Sequence, residues 1–206
     1  VVLTAGVHGD EPAGVETVAR FLEQRPSWAR GFQFTIFPCM NPHGYDHNLR
    51  NNYDNLDINR QYHHSSLPEV DAQKRVLAGR RFDLHITLHE DVDAPGFYVY
   101  ELSRRRLQIA RKIAARVARI LPLDTRPIIE GRRSREGVIH RAYPPRDMKH
   151  WPEAIYMFAA HCDHTLTTET PGAFEFERRV KAQTIALRTA CETMARLKRR
   201  AAAADR

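Results

Sequence analysis

The sequence predicts an α/β protein: one domain over residues 1–206, built on a mixed, mostly parallel twisted sheet with helices on both faces. Three observations predict it. Short apolar runs alternate along the chain with longer stretches whose apolar residues recur at helical spacing, the pattern of strands joined by helical crossovers. A chain of 206 residues is long enough to bury one substantial core. Its 42% hydrophobic and 28% charged residues suit a globular domain in water.

Residues 1–5 (VVLTA) form an unbroken apolar run and read as a buried strand. Residues 12–24 read as a helix, with Pro12 near the first turn and Val15, Val18, Ala19 and Leu22 on one face. Residues 32–38 alternate like a strand and lead into the turn Asn41-Pro42-His43-Gly44. The stretch 41–66, dominated by Asn, His, Asp and Tyr, reads as a long functional loop. A helix is expected over 68–78, then strands over 82–89 and 97–101, separated by Pro95-Gly96. Residues 107–121 carry Ile109, Ile113, Val117 and Ile120 at helical spacing. The Pro- and His-rich segment 122–165 is expected to be loops with short elements around 155–160. A short strand over 166–170 and a long helix over 176–203 complete the chain, with a frayed basic tail at 196–206. No internal repeat is visible.

The net charge of +7 lies mostly in arginine clusters: Arg104-Arg105-Arg106, Arg132-Arg133 and the C-terminal tail. These lack interleaved aromatics and any binding module, so no nucleic-acid partner is expected. A solvated basic surface that favours anionic substrates or cell-wall polymers is the simpler reading. No apolar run is long enough to cross a bilayer, and no membrane partner is expected. Cys39, Cys162 and Cys191 are odd in number and widely spaced, which suits free thiols in a reducing, cytoplasmic setting. Val1 already lies in an apparent strand, which leaves room for a leader or earlier strands and keeps export open.

Behind the first strand comes Gly6-Val7-His8-Gly9-Asp10-Glu11. His8 and Glu11 are three apart and reach one point if the turn runs into a helix. Neutral imidazole and carboxylate oxygen both suit zinc, which takes three protein ligands and keeps a fourth position open in catalytic sites. The third ligand should come from a distant strand, where His85 and His89 both qualify. They share a strand face but lie about 13 Å apart at the standard rise, so they do not share one ion. His8, Asn41, His89 and Glu169 each follow the end of an expected strand. In open α/β sheets that rim is where ligands bind.

With Asn41-Pro42-His43-Gly44, Arg50, Leu56-Asp57-Ile58-Asn59-Arg60, His89 and Thr168-Glu169-Thr170 following in order, the chain resembles the zinc metallocarboxypeptidases of the carboxypeptidase A-like type. His43 stands where the family turn has Asp, and Ile58 where its later run has Leu. The short interval from Glu11 to His89 is closer to the compact bacterial members and to the related succinylglutamate desuccinylase/aspartoacylase branch. The resemblance implies one Zn²⁺ per chain on His8, Glu11 and His89. It implies that Glu169 activates a water and that Arg50 stabilises the oxyanion. Asn59 and Arg60 would grip a carboxylate, a task suited to the guanidinium fork. His89, at the rim, is then the third ligand, and His85 reads as a packed or hydrogen-bonded histidine within the sheet, with orienting a group behind the ligands as the alternative.

The resulting expectation is hydrolysis of an amide bond next to a free carboxylate, at the C-terminus of a peptide. An N-acyl amino acid deacylase with the same metal site is the near alternative. A catalytically silent binding domain is a further one, against which the intact Glu169 argues. Tyr143 and Tyr156 are both candidates to face substrate. Glu90 and Asp91 are read as tuning the site or lying in a solvated loop, and His63, His64, His161 and His164 as polar loop or rim residues.

Overall fold

Apolar runs and crossover helices assemble as the periodicity predicts. The computed structural model describes residues 1–63, 66–105, 107–141 and 148–204. Its strands are β1 (Val2–Ala5), β2 (Thr35–Phe37), β3 (His85–Asp91), β4 (Tyr98–Ser103), β5 (Ile128–Ile129), β6 (Arg132–Arg133), β7 (Val138–His140) and β8 (His164–Pro171). Its helices are α1 (Pro12–Gln24), α2 (Pro42–His47), α3 (Pro68–Leu77), α4 (Ile109–Val117), α5 (Glu153–Ala160) and α6 (Phe176–Ala204). Six strands form one sheet in the order β2-β1-β3-β8-β4-β7, and β5 with β6 makes a separate hairpin. Neighbours run parallel except β4 and β8, which are antiparallel.

Each face of the sheet buries apolar side chains under helices. Leu3, Ala5, Ile86, Leu88, Val99 and Leu166 meet Ile109, Ile113, Ala186, Leu187 and Ala190 from α4 and α6. On the other face Val2, Leu77, Met157 and Cys162 pack together beneath α3 and α5. Burying each valine, leucine, isoleucine or methionine among them stabilises by roughly 1.5–3 kcal/mol, so these two layers hold the fold.

The helix α1 begins and ends where the sequence predicts, but its inward face is rotated. Ala13, Gly14, Thr17 and Val18 are buried, whereas Leu22 is exposed. The cause is close approach: a Cβ on Gly14 would sit 2.9 Å from the Leu88 carbonyl oxygen. The helix therefore leans on the sheet through its glycine side.

Other differences follow from pairing. β2 is shorter than 32–38 because, among the described residues, it pairs with β1 alone, through three residues. The stretch 41–66 is not simply loop: it contains α2 and a short 3₁₀ turn at Ile58–Arg60. Segment 122–165 carries the β5–β6 hairpin, the edge strand β7 and α5, and its last residues open β8. Residues 196–204 continue α6 instead of fraying. His164 is buried at the start of β8, not at a polar rim, because the strand begins earlier than its apolar run suggests, and His161 is buried where it caps the end of α5. Cys162 and Cys191 are buried free thiols, and Cys39 is half-buried.

Candidate metal centre

His8 lies in the turn after β1, and Glu11 is the residue that caps α1. A carboxylate there would ordinarily accept a hydrogen bond from the first helical turn. Glu11 does not; its side chain makes no cap bond. Glu90 takes over that role, accepting from the Ala13 N–H at 2.7 Å. Arg179 and the Thr170 hydroxyl hold the second Glu90 oxygen. The Glu11 carboxylate is thereby left free to meet two imidazoles.

Its two oxygens face His8 Nδ1 at 2.6 Å and His89 Nδ1 at 2.7 Å. All three side chains are buried, and their ligand atoms lie within 4.8 Å of one another. Burial alone would raise the Glu11 pKa, but the facing His89 and His8 outweigh it and hold it at about 2. Burial likewise opposes charge on His8, and Glu11 and Asp57 more than offset it. Two imidazole nitrogens and a carboxylate converging in a buried pocket are a donor set that fits zinc. His8, Glu11 and His89 would hold such an ion, each offering one atom.

Asp57 supports this cluster from behind. Its Oδ1 lies 3.1 Å from His8 Nε2 and accepts the Asn59 backbone N–H at 2.8 Å. Its Oδ2 accepts from Arg50 at 3.1 Å. Burial alone would raise the Asp57 pKa, but His8 and then Arg50 outweigh it and hold the carboxyl below the usual carboxylate range. A carboxylate on the far nitrogen of a ligand histidine fixes its tautomer and ring orientation. The sequence displays Asp57 within the Asp-Ile-Asn-Arg run, but nothing in spacing alone distinguishes this orienting role.

The remaining site residues surround the cluster in one cleft of about 1160 Å³. His8, Glu11, Arg50, Asn59, Arg60, His89 and Glu169 all line it. Parallel register sets His89 directly beside Glu169, and antiparallel register sets Tyr98 on the far side of Glu169. Since alternate strand residues share a face, these three side chains form one row across the sheet. Burial, then Glu11, Glu130 and Asp91, pushes the Glu169 pKa well above the ordinary value, with Arg50 opposing. Arg50 itself approaches Glu11 at 3.5 Å.

Asn41 does not enter the cleft as its strand-end position suggests. It is fully buried, caps α2 through Gly44 at 2.9 Å, and its amide holds the Arg50 carbonyl at 3.1 Å. A Cβ on Gly9 would lie 1.9 Å from the Gly44 carbonyl carbon, so this turn docks directly on the ligand loop. Asn41 thus places Arg50 instead of touching substrate.

His85 is fully buried and absent from the cleft lining, as expected of a packed histidine. Glu90 and Asp91 belong to β3 instead of a solvated loop. Asp91 accepts the Tyr98 hydroxyl at 2.8 Å. Tyr156 turns away and lies 3.0 Å from His161 Nε2. Tyr143 and His64 lie outside the described residues. Among the described residues, Tyr98 and Tyr100 are the tyrosines that line the cleft, in the strand that the sequence places at 97–101. Period two is the signal that could have found them, since it puts both on the face that carries Glu169.

The chain matches the model of the succinylglutamate desuccinylase/aspartoacylase catalytic domain over residues 1–125, and it belongs to that family. That span includes His8, Glu11, Arg50, Asn59, Arg60 and His89, and Glu169 lies beyond it. No curated protein matches the sequence. Among solved structures, a candidate metallopeptidase from Shewanella denitrificans superposes with a TM-score of 0.78 at 22% identity, covering 92% of this chain and 72% of that one. A metallo-carboxypeptidase from Burkholderia cenocepacia gives 0.71 at 18%, over 95% of this chain and 57% of that one. Csd4 of Helicobacter pylori, a D,L-carboxypeptidase solved in an mDAP-bound form, gives 0.66 at 14%, over 94% and 50%. Identities this low show a shared fold, and the family membership rests on the model match. Among the described residues, no helix is long and apolar enough to cross a membrane.

Proposed function

We propose that this protein hydrolyses an amide bond next to a free carboxylate, using zinc held by His8, Glu11 and His89. The observation that carries this reading is the meeting, in one cleft, of that buried trio with Glu169, Arg50 and the Asn59-Arg60 pair. Zinc, when bound, supplies a Lewis acid that polarises the carbonyl and acidifies water. Glu169 accepts the proton of the attacking water and returns it to the leaving amine. Arg50, on the rim beside Glu11, donates to the oxygen that gains negative charge as the carbonyl carbon becomes tetrahedral. Arg60 offers its fork to the substrate carboxylate, and Asn59 offers its side-chain amide.

Removal of a C-terminal residue from a peptide is the favoured reaction. A cleft of about 1160 Å³ exceeds the roughly 300–1,000 Å³ of ordinary ligand pockets and suits a substrate larger than a single acylated residue. The family match favours the second reading, an N-acyl amino acid deacylase. Comparing release of C-terminal residues from short peptides with hydrolysis of acetyl- and succinyl-amino acids separates the two. Under either reading, amidating the free carboxylate should lower kcat/KM at least tenfold, since losing one partner of a charged pair costs about 2–5 kcal/mol. Arg60→Met should do the same to the free acid, and the two losses should not add, because both delete one interaction. Equal rates on free and amidated substrates would contradict the reading.

A further inference from the structure

On the sheet face that carries the metal cluster lies a titratable pair that the proposed chemistry does not use. His85 and Glu153 are both fully buried, with His85 Nε2 3.4 Å from Glu153 Oε1. The same oxygen accepts from the Thr4 hydroxyl at 2.7 Å and from the Gln73 amide at 2.5 Å. Glu153 is the first residue of α5, and its backbone N–H donates to Asn59 Oδ1 at 2.9 Å. That bond fixes which end of the Asn59 amide is oxygen, leaving its NH₂ to meet a ligand in the cleft. Asn59 is held from its other side by Asp57, through its own backbone N–H.

Stability alone is a poor account of this arrangement. Burying a carboxylate is costly, and a packed apolar side chain often stabilises a core as well or better. The pair is not even completed: Glu153 Oε2 and His85 Nδ1 have no hydrogen-bond partner among the described residues. Burial opposes the charge on Glu153, yet His85, Thr4 and Gln73 outweigh it and keep its pKa below the ordinary value. What the anchored carboxylate does accomplish is to place the start of α5 against Asn59.

We propose that Glu153 is a positioning residue for the substrate carboxylate: gripped by Thr4, Gln73 and His85, it fixes the first N–H of α5, which orients Asn59. The inference rests on the carboxylate grip assigned to Asn59 and Arg60 above. Glu153→Asp keeps the charge but shortens the anchoring arm by one methylene. A displacement of about 1 Å at a positioning group can cost up to a hundredfold. We expect a rise of roughly tenfold in KM for the free-carboxylate substrate, kcat within about twofold of wild type, and unchanged kinetics on the amidated substrate. Thr4→Val, which removes one anchor with little change of shape, should shift KM in the same direction by less, again only for the free acid. It serves as the test if Glu153→Asp does not fold.

The outcomes separate cleanly. If wild-type protein treats free and amidated substrates alike, the grip itself fails and this inference fails with it. If wild type discriminates, but the variants lose equally on both substrates or match wild type on both, the positioning role alone is overturned.

Discussion

Glu169→Gln is expected to lower kcat by roughly 10²–10⁴-fold, the usual scale of general-base catalysis, with metal content unchanged. The substitution keeps the shape of the side chain but removes its ability to take up a proton. Glu169 stands beside His89 in the sheet register yet is not one of the three converging ligand residues. Its setting, half-buried and facing Glu11, Glu130 and Asp91, raises its affinity for a proton. That is the property required of a group that takes a proton from water and later gives it up. Steady-state kinetics together with elemental analysis of the same preparation checks both halves. Wild-type turnover in this variant would mean that another base serves.

The second large effect is expected at a residue that touches no substrate. Asp57→Asn should weaken zinc affinity by about 10–100-fold, measured by competition with a chromogenic chelator. Asp57 steadies the far nitrogen of His8, accepts the Asn59 N–H and pairs with Arg50, so one carboxylate orders three parts of the site. Asn is isosteric but neutral, and it removes the charge that favours the ligand tautomer of His8. Unchanged affinity would mean that His8 is oriented by packing alone.

How much of this was legible in the sequence differs from residue to residue. His8 and Glu11 declare themselves because the strand, the turn and Pro12 together fix where the helix begins. Strand geometry shows that His85 and His89 are too far apart to share an ion, and the choice of His89 follows from its place at the strand end and from the family resemblance. The roles of Asp57, Glu90 and Glu153 are not legible, because each depends on which distant backbone or ring it meets. Glu90 bonds across 77 residues to Ala13, and Glu153 across 94 to Asn59. Local pattern carries no information on such pairs. The rotated face of α1 was hidden for a related reason: apolar periodicity identifies a stripe, whereas Gly14 permits a closer approach that the stripe does not record. The strand β7 and the β5–β6 hairpin were missed because elements of two or three residues are too short for any period to register.

The most direct test is a metal count on protein purified without added metal, made in parallel for the wild type, His89→Ala and His85→Ala. The account predicts one zinc per chain in the wild type and in His85→Ala, and loss of that zinc in His89→Ala. Full stoichiometric zinc in His89→Ala, with loss in His85→Ala, would contradict it.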